Sequence, residues 1–431
     1  MVGASTSLQD VTMTQSQSVF KDDRKLTYLN GDGADRPLIS PVPQTTLDKA
    51  RSYRLGRLRE QMAVHDVAGL LLYDPINIRY AFDSSNMQVW TGHNPVRYAL
   101  ILADGPAILW EFKGCEHLND GLDGIDEIRT AVSWMFMTKG DKAPTGVNIW
   151  ADEIADVLRQ HGGGNTRFAA DKLDGPGLHA LENAGFTFVE GAELTERARS
   201  IKSVEEIDLM RWTIRVCEAG MARIYDHSVP GVTECELWAH LHFENARSGG
   251  DWLETKLLAC GPNTNPWYAE CSDRICQKGE MISFDTDMIG PYGYCADLSR
   301  SWTCGYTPMN STQKRIYSTA LEQINHNMSI LSPGMSFAEY NDKSWRIPEQ
   351  HADYRYSLAV HGVGMADEWP VIPLHVDFDD TATSGQIEPG MVLCVESLVA
   401  EQGSESVKLE TQVLITESGY ERLDSFPWET I

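Results

Sequence analysis

Three aspartates in one short stretch are the residues whose types and spacing point most directly to chemistry. Asp285 and Asp287 lie two residues apart in an alternating segment, which puts both carboxylates on one face of a strand. The turn-forming residues 290–293 come next, so a returning strand would carry Asp297 beside them. Three clustered carboxylates raise one another's pKa unless a cation joins them. A solvated hairpin is the plain alternative, but this set on an apolar-backed hairpin favours a metal ion.

Three more residues of the ligand type lie in the last third of the chain. His361 stands among apolar residues before a Gly-Val-Gly turn, where a lone histidine is more often structural. Glu396 comes after five apolar residues and Glu410 lies inside a strand-like segment, and buried carboxylates need partners. Lys408 shares a strand face with Glu410, so a salt bridge would explain that carboxylate and not the others. The whole set suits two divalent ions a few ångströms apart.

The elements that must position these residues fall into two domains. Residues 1–45 are polar and aperiodic, which predicts an irregular arm. Over residues 46–195, an amphipathic helix, a buried strand, a hairpin and strand–helix–strand alternation predict an α/β domain. Over residues 196–431, long amphipathic helices precede the strands that carry the ligand candidates. The predicted fold class is α+β, with the chemistry in the second domain.

Composition excludes several classes of partner. The 431-residue chain carries a net charge of −26, with a pI near 4.8, which argues against nucleic acid and anionic membranes. The nine cysteines form no CxxC pair, so reduced thiols are expected. No apolar run is long enough to span a bilayer, and the first twenty residues lack the apolar core of a secretory signal. We therefore expect a cytoplasmic protein.

The order of these residues resembles the creatinase/aminopeptidase, or pita-bread, metallohydrolases. The matching motifs are Ala-Asp297-Leu-Ser-Arg300, His361-Gly-Val-Gly364, Glu388-Pro-Gly-Met391 leading to Glu396, and Val407-Lys-Leu-Glu410. The likeness covers the chain from about residue 50 onward. It implies a creatinase-like N-terminal domain before a pita-bread catalytic domain. It also implies six metal ligands, which are Asp285, Asp287, Asp297, His361, Glu396 and Glu410.

Two departures from the peptidases of that family stand at catalytic positions. Those peptidases carry a histidine in the loop before the hairpin, where this chain has Asn263-Thr-Asn-Pro-Trp267. They carry a second histidine several residues after the ligand histidine, where this chain has Asp367 before Glu368. The two histidines hold and protonate the tetrahedral intermediate of amide hydrolysis, which needs a group that titrates near neutrality. Peptide hydrolysis is therefore not expected, and Glu368 is interpreted as a solvated charge.

The same departures resemble the iron-dependent dimethylsulfoniopropionate lyases built on this fold. Aromatic side chains near carboxylates favour a sulfonium cation, which has no N–H to donate. The resemblance implies β-elimination to dimethyl sulfide and acrylate, with Asp367 as the general base. It also implies two divalent metal ions, most readily iron, a sulfonium carboxylate substrate and a homodimer. The aromatic residues that it assigns to substrate binding are Trp90, Trp267, Tyr356 and Trp369.

Other interpretations of the residues stay open. Tyr356 is equally well explained as a half-buried strand residue, and packing explains Trp90 better than a cap over its own or a partner's site. The main alternative function is an X-Pro dipeptidase or aminopeptidase, which would use the same metal ligands. A metal-free binding module and a creatinase-type C–N hydrolase are two further alternatives. The first would have lost the ligand residues, and the second would need a histidine where Trp267 stands.

Overall fold

The computed structural model describes residues 38–379 and 384–429. The described residues divide into two units: the first is Pro43–Arg199, and the second comprises those from Ser200 onward together with residues 38–42. These limits lie within a few residues of the domain boundaries expected at 46 and 196. The arm expected over residues 1–45 falls mostly outside the described residues.

The first unit is built on a mixed six-stranded sheet. Its strands are Gly69–Leu72 (β1), Tyr98–Leu102 (β2), Ala107–Glu111 (β3), Glu127–Thr130 (β4), Arg167–Ala170 (β5) and Thr187–Glu190 (β6). They lie in the order β4-β3-β2-β1-β5-β6. Its helices are Gln44–Val64 (α1), Pro75–Phe82 (α2), Gln88–Thr91 (α3), Phe136–Lys139 (α4), Ala143–His161 (α5), Gly175–Asn183 (α6) and Ala192–Ser200 (α7). The predicted α/β character of this unit is confirmed.

Apolar runs explain why this sheet forms. Every residue of β1, β2 and β3 is buried, and β1 is flanked by β2 antiparallel and β5 parallel. The predicted hairpin is the β2–β3 pair, with Tyr98 opposite Trp110. Both rings belong to an aromatic-rich core with Trp150 of α5. A sheet buried on such a core reads in sequence as continuous apolar segments.

The second unit begins with long helices and continues mainly as strands. The helices are Val204–Asp226 (α8), Glu234–Arg247 (α9), Ser311–Ser329 (α10), Phe337–Lys343 (α11) and Glu349–Ala352 (α12). Capping boxes at Ser203 and Thr233 fix where α8 and α9 start, because each hydroxyl pairs with the backbone three residues later. Among the helices of the described ranges, none is both long enough and apolar enough to cross a membrane.

The strands of the second unit form three sheets. They are Trp252–Leu253 (β7), Leu258–Cys260 (β8), Met281–Phe284 (β9), Asp287–Ile289 (β10), Cys295–Asp297 (β11), Arg300–Thr303 (β12), Leu358–Val363 (β13), Asp367–Pro373 (β14), Val392–Val399 (β15), Val407–Thr416 (β16) and Gly419–Arg422 (β17). The largest sheet has the order β14-β13-β15-β16-β17. Helix α10 packs on β15 and β16 over an apolar core that includes Ile316, Val395 and Leu409. The polar side chains of β15 and β16 lie on the opposite face of these strands.

From Asp287 onward the aspartate stretch forms the predicted hairpin, in which Asp297 of the returning strand β11 lies opposite Asp287, but the strand before Asp285 belongs to another sheet. The chain leaves β9 at Phe284 and enters β10 at Asp287, and the two strands belong to different three-stranded sheets. β9 pairs with β8 and β12, whereas β10 pairs with β11 and β7. The short strands β7 and β8, which come before β9 and β10 in the chain, are divided between the same two sheets. Residue alternation does not reveal where a chain changes its sheet partners.

One pair of cysteines departs from the expectation of reduced thiols. Cys260 and Cys276 form a disulfide with a Cα–Cα distance of 5.7 Å. Seven other cysteines are free. Cys260 ends β8 and Cys276 lies beyond the next loop, so tertiary folding brings them together and no local spacing marks them. The disulfide closes residues 261–275 into a loop.

Gly362 allows a close approach between β13 and β14. A Cβ atom at this position would lie 2.5 Å from the carbonyl oxygen of Trp369 and 2.8 Å from that of Glu368. We expect Gly362→Ala to lower the free energy of unfolding by about 1–3 kcal/mol, because backbone must move to admit the methyl group. Chemical unfolding measures this loss. Gly56→Ala is the control, since it meets nothing within 4 Å inside helix α1 and should be neutral or slightly stabilising.

Candidate metal centre

Six side chains of the ligand type meet on the polar side of the β-strands in the second unit. Asp285 lies just after β9, Asp287 opens β10, and Asp297 ends β11. Strand register places Asp287 opposite Asp297 and Glu396 opposite Glu410. Directly opposed residues on antiparallel strands present their side chains on the same face. The five carboxylates together are named the acidic cluster, which comprises Asp285, Asp287, Asp297, Glu396 and Glu410.

His361 of β13 points one ring nitrogen at three members of the acidic cluster. Its Nε2 lies 3.2 Å from Asp297 Oδ2, 3.2 Å from Glu396 Oε1 and 3.4 Å from Glu410 Oε1. Its Nδ1 lies 3.0 Å from the carbonyl oxygen of Gly362, which accepts a hydrogen bond only if Nδ1 carries the proton. In that tautomer the Nε2 lone pair faces carboxylate oxygens. This orientation, with the other ring nitrogen bonded to a backbone carbonyl, is typical of metal-ligating histidines.

The electrostatics of the acidic cluster favour a bound cation. Burial and neighbouring carboxylates raise the pKa of Asp285 to about 7, against the opposing effect of Lys408. Burial and Asp285 likewise raise the pKa of Asp287 to about 7. Burial and the neighbouring Glu410 also raise the pKa of Asp297. Burial lowers the pKa of His361, but contacts with Asp297 and the two glutamates outweigh it and raise the pKa overall, so these carboxylates favour a cation at Nε2, which is a proton until a metal ion replaces it.

Two orphaned oxygen atoms support the same conclusion. Glu396 Oε1 and Glu410 Oε1 are buried, and neither accepts a hydrogen bond from any residue that the structure describes. Both atoms face His361 Nε2. A buried carboxylate oxygen without a partner is costly, and a metal ion would satisfy both atoms together. The residues present therefore fit a metal site.

Lys408 reaches more of the acidic cluster than the sequence suggests, and the expectation that it serves Glu410 alone is wrong. Its Nζ lies 2.8 Å from Glu410 Oε2, 2.9 Å from Glu396 Oε2 and 3.2 Å from Asp285 Oδ2. The lysine is fully buried, and these carboxylates raise its pKa despite the opposing effect of burial. Lys408 thus pairs with the outer oxygens of both glutamates, while their inner oxygens face His361.

Asp367, the first residue of β14, lies beside the acidic cluster rather than within it. Its Oδ1 is 3.9 Å from His361 Nδ1, on the far side of the ring from Nε2. Its side chain remains 54% exposed, but crowding by the protein, together with Asp287 and the glutamates, raises its pKa to about 7. Asp367, Asp287 and the Cys295 thiol have ligand-type atoms within 4.8 Å of one another. The carboxylate is therefore accessible and close to the centre.

Two tyrosines form an aromatic patch next to the centre. The Tyr356 ring lies 5.1 Å from Lys408 Nζ, and burial together with Glu396 raises the pKa of its hydroxyl. The Tyr268 ring lies 5.5 Å from that of Tyr356 and is 58% exposed. Tyr268 was not identified from the sequence, although its position beside Trp267 was a signal. Trp267 itself is only 8% exposed, so it also contributes to packing.

The two residues after Asp367 both make packing or ion-pair contacts within the second unit. Glu368 is buried and forms an ion pair with Lys202, so its interpretation as a solvated charge is wrong. Trp369 packs on the apolar core, with its ring 5.5 Å from Phe337. These contacts explain the position of Trp369 by packing, and its assignment to substrate binding stays a prediction.

Trp90 belongs to the first unit. It lies in the short helix α3 and is half-buried, with its ring 5.7 Å from that of Phe112 in an edge-on arrangement. Its carbonyl oxygen accepts a hydrogen bond from the Asn94 side chain. These contacts explain its position within the unit, and its assignment to substrate binding stays a prediction.

The fold and the six potential ligand side chains define a protein of the pita-bread fold with a candidate metal centre. Residues 208–417 match the model of metallopeptidase family M24. Among solved structures, an Xaa-Pro dipeptidase from Bacillus anthracis superimposes with a TM-score of 0.70 at 21% identity, over 88% of this chain and 99% of that one. The prolidase from Pyrococcus horikoshii OT3 gives 0.70 at 20% identity, with the same coverage. At this level of identity the likeness concerns the fold alone.

Two curated relatives are much more similar in sequence. Dimethylsulfoniopropionate lyase DddP from Roseovarius nubinhibens is 43% identical over 393 residues, or 89% of this chain and 87% of that protein. The protein of the same name from Roseobacter denitrificans is 41% identical over 389 residues, or 88% of this chain and 86% of that protein. The chain belongs to the dimethylsulfoniopropionate lyase family, as its departures from the peptidases predict.

Proposed function

We propose that this chain cleaves dimethylsulfoniopropionate to dimethyl sulfide and acrylate. The observation that carries the proposal is the 43% identity, over most of both chains, to a lyase named for this substrate. The residues add chemical support, because Trp267 and Asp367 stand where peptidases of this fold carry histidines. Elimination of a sulfonium group needs a base but no acid, since dimethyl sulfide leaves as a neutral molecule.

The metal ligands of the proposed enzyme are Asp285, Asp287, Asp297, His361, Glu396 and Glu410. The five carboxylates of the acidic cluster and the cation Lys408 leave four negative charges, which two divalent ions neutralise. We propose iron, by the resemblance to iron-dependent lyases. Bound ions would hold the substrate carboxylate and would stabilise negative charge that develops on the adjacent carbon.

Asp367 is the proposed general base. Its carboxylate takes the proton from the carbon next to the substrate carboxylate. The electron pair of the broken C–H bond forms the new carbon–carbon double bond. The bond from Cβ to sulfur breaks, dimethyl sulfide leaves with the bonding pair, and acrylate remains. A pKa near 7 gives Asp367 the basicity of an effective base, and nearby bound cations would lower this value again. Its half-exposed position leaves it open to an incoming substrate.

The aromatic patch is the proposed site for the sulfonium end. Tyr268 and Tyr356 offer ring faces beside the acidic cluster, and a cation without N–H groups binds to such faces by electrostatic attraction. Trp267 lies next to Tyr268 in the chain and supports this patch. We keep Trp90 as a proposed substrate-binding residue, and this proposal rests on the resemblance to the lyases alone.

A gas-phase assay tests the reaction directly. Purified protein reconstituted with Fe²⁺ is incubated with dimethylsulfoniopropionate, and the headspace is analysed for dimethyl sulfide while acrylate is measured in solution. We expect both products in equal amounts. The same preparation is assayed on an X-Pro dipeptide. Dipeptide cleavage without dimethyl sulfide would replace the proposed function by the peptidase alternative.

Metal content, quaternary structure and location are tested separately. Elemental analysis of active protein should find about two divalent ions per chain, and well under one ion per chain contradicts the proposed site. We also propose a homodimer, which sedimentation equilibrium measures. The proposed cytoplasmic location has against it the Cys260–Cys276 disulfide, a bond that is rare in that compartment. Cell fractionation decides the location.

Tyr268→Ala is expected to raise KM for dimethylsulfoniopropionate by about 2- to 30-fold, with little change in kcat. The reason is the loss of a cation–π contact of roughly 0.5–2 kcal/mol. Because Tyr268 is largely exposed, the melting temperature should stay close to that of the wild type. Tyr420→Ala, on the exposed strand β17, is the matched control and should leave KM unchanged. Equal KM values in the two variants would exclude Tyr268 from the substrate site.

A further inference from the structure

Two free cysteines outside the metal centre lie side by side at the start of α9. The Sγ atom of Cys235 is 3.7 Å from the Sγ of Cys271 and 3.4 Å from the carbonyl oxygen of that residue. Cys235 is exposed and Cys271 is half-buried. The elimination proposed above uses neither thiol.

Cys271 belongs to the loop that carries part of the proposed substrate site. Residues 261–275 are closed by the Cys260–Cys276 disulfide and include Trp267 and Tyr268. The backbone of this loop is already held to α9, because the Cys235 amide donates to the carbonyl oxygen of Ser272 at 3.0 Å. The carboxylate of Glu234 adds hydrogen bonds from the backbone amides of Cys260 and Ser272.

This anchoring holds the two sulfur atoms near bonding range. A disulfide needs about 2.05 Å between sulfurs, so rotation of side chains can close much of the remaining gap. A shared metal ion explains the pair less well. Within the described residues, two groups of three or more potential metal-ligating side chains occur, and both are at the metal centre. Neither group includes Cys235 or Cys271.

We propose that Cys235 and Cys271 form a second disulfide when the protein meets a peroxide. The peroxide first oxidises the exposed thiol of Cys235 to a sulfenic acid and is itself reduced, with release of water or an alcohol. The sulfur of Cys271 then displaces the hydroxyl group, which leaves as water together with the Cys271 proton. The new bond ties the loop that carries Tyr268 covalently to α9.

The order of the two steps depends on the surroundings of each thiol. Burial and the adjacent Cys235 raise the pKa of Cys271 to about 12, so this thiol stays protonated and reacts poorly with a peroxide. Cys235 is the more accessible of the two and is therefore the first target. Cys271 resolves the sulfenic acid, because its sulfur is already in contact with that of Cys235 and because oxidation of Cys235 removes the neighbouring thiol that raises the Cys271 pKa.

Peptide mapping after oxidation tests this proposal. The full-length protein with bound metal is treated with hydrogen peroxide, alkylated, digested and analysed by mass spectrometry. We expect a peptide pair joined through Cys235 and Cys271, and a fall of two in the seven alkylatable thiols. Cys235→Ser and Cys271→Ser should each abolish the joined pair. Cys115→Ser, a partly exposed thiol in the first unit, is the matched control and should retain it.

Limited proteolysis without substrate gives a second readout that does not depend on the lyase reaction. Oxidation should slow cleavage within residues 261–275 of the wild type by several-fold, and it should have no such effect in Cys235→Ser. Accumulation of Cys235 sulfinic acid without a joined pair would overturn the proposal. Exchange of Cys271 into the Cys260–Cys276 bond would overturn it as well. Loss of dimethyl sulfide formation alone would count against the proposed function and not against this thiol pair.

Discussion

Asp367→Asn is expected to lower kcat for dimethylsulfoniopropionate cleavage by a factor of about 10² to 10⁴, the usual contribution of a general base. Asparagine keeps the size of the side chain but cannot take a proton. The carboxylate of Asp367 lies beside Nδ1 of His361. It is not one of the carboxylates that face Nε2. Metal content and melting temperature should therefore stay close to those of the wild type. Steady-state kinetics with headspace detection, together with elemental analysis, measure both effects.

The control for this substitution is Asp342→Asn. Asp342 is a highly exposed aspartate of the same unit that pairs with Arg346, so its amide should leave kcat unchanged. Near wild-type turnover in Asp367→Asn would assign the base elsewhere, with Tyr356 as the next candidate. Loss of bound metal in Asp367→Asn would instead make this residue a ligand, and the proposed elimination would need a different base.

Lys408→Met is expected to lower the free energy of unfolding by about 3–5 kcal/mol, the usual result of removing one partner from a buried ion pair. Methionine keeps much of the volume but leaves Glu410, Glu396 and Asp285 without their shared cation. The outer oxygens of the two glutamates then repel each other, which should turn their carboxylates and reduce metal content well below that of the wild type. Chemical unfolding and elemental analysis measure these two changes.

Lys202→Met provides a matched comparison. Lys202 is also a buried lysine in an ion pair, with Glu368, but it does not contact the acidic cluster. We expect a comparable loss of stability in this variant with metal content retained. If both variants lose metal equally, the loss reflects general destabilisation, and the specific role of Lys408 is contradicted.

Much of the fold could be predicted because its elements are long and strongly patterned. The amphipathic helix expected at the start of the first domain is Gln44–Val64, and the apolar run before Glu396 lies in the strand Val392–Val399. Leu58 and Met62 of the helix are buried, as is every residue of the strand. The aspartate stretch shows the limit, since its alternation is equally compatible with one strand and with two strands in separate sheets. Pairing partners decide between them, and these lie elsewhere in the chain.

In the candidate site, too, the sequence could predict some residues and contacts and not others. His361 and Asp297 could be identified because residue type and neighbouring motif coincide. The three contacts of Lys408 could not be predicted, because a strand pattern gives the face of a side chain and not its reach across neighbouring strands. Tyr268 was missed for a related reason. The ring of Tyr268 meets that of Tyr356 only in the folded loop, in which Tyr268 itself has a positive φ of 81°.

The spread of the acidic cluster along the chain bears on how the protein folds. Its members come from β10, β11, β15 and β16 and from the residue after β9, and the helices α10, α11 and α12 separate the first of these strands from the last. Contacts between such distant segments raise the contact order and form late, after the entropy of long loops has been lost. The nascent chain therefore offers no metal site until its last strands have been made and paired. Ions can then bind tightly only to chains whose β16 has docked, so metal uptake should report the completion of folding rather than initiate it.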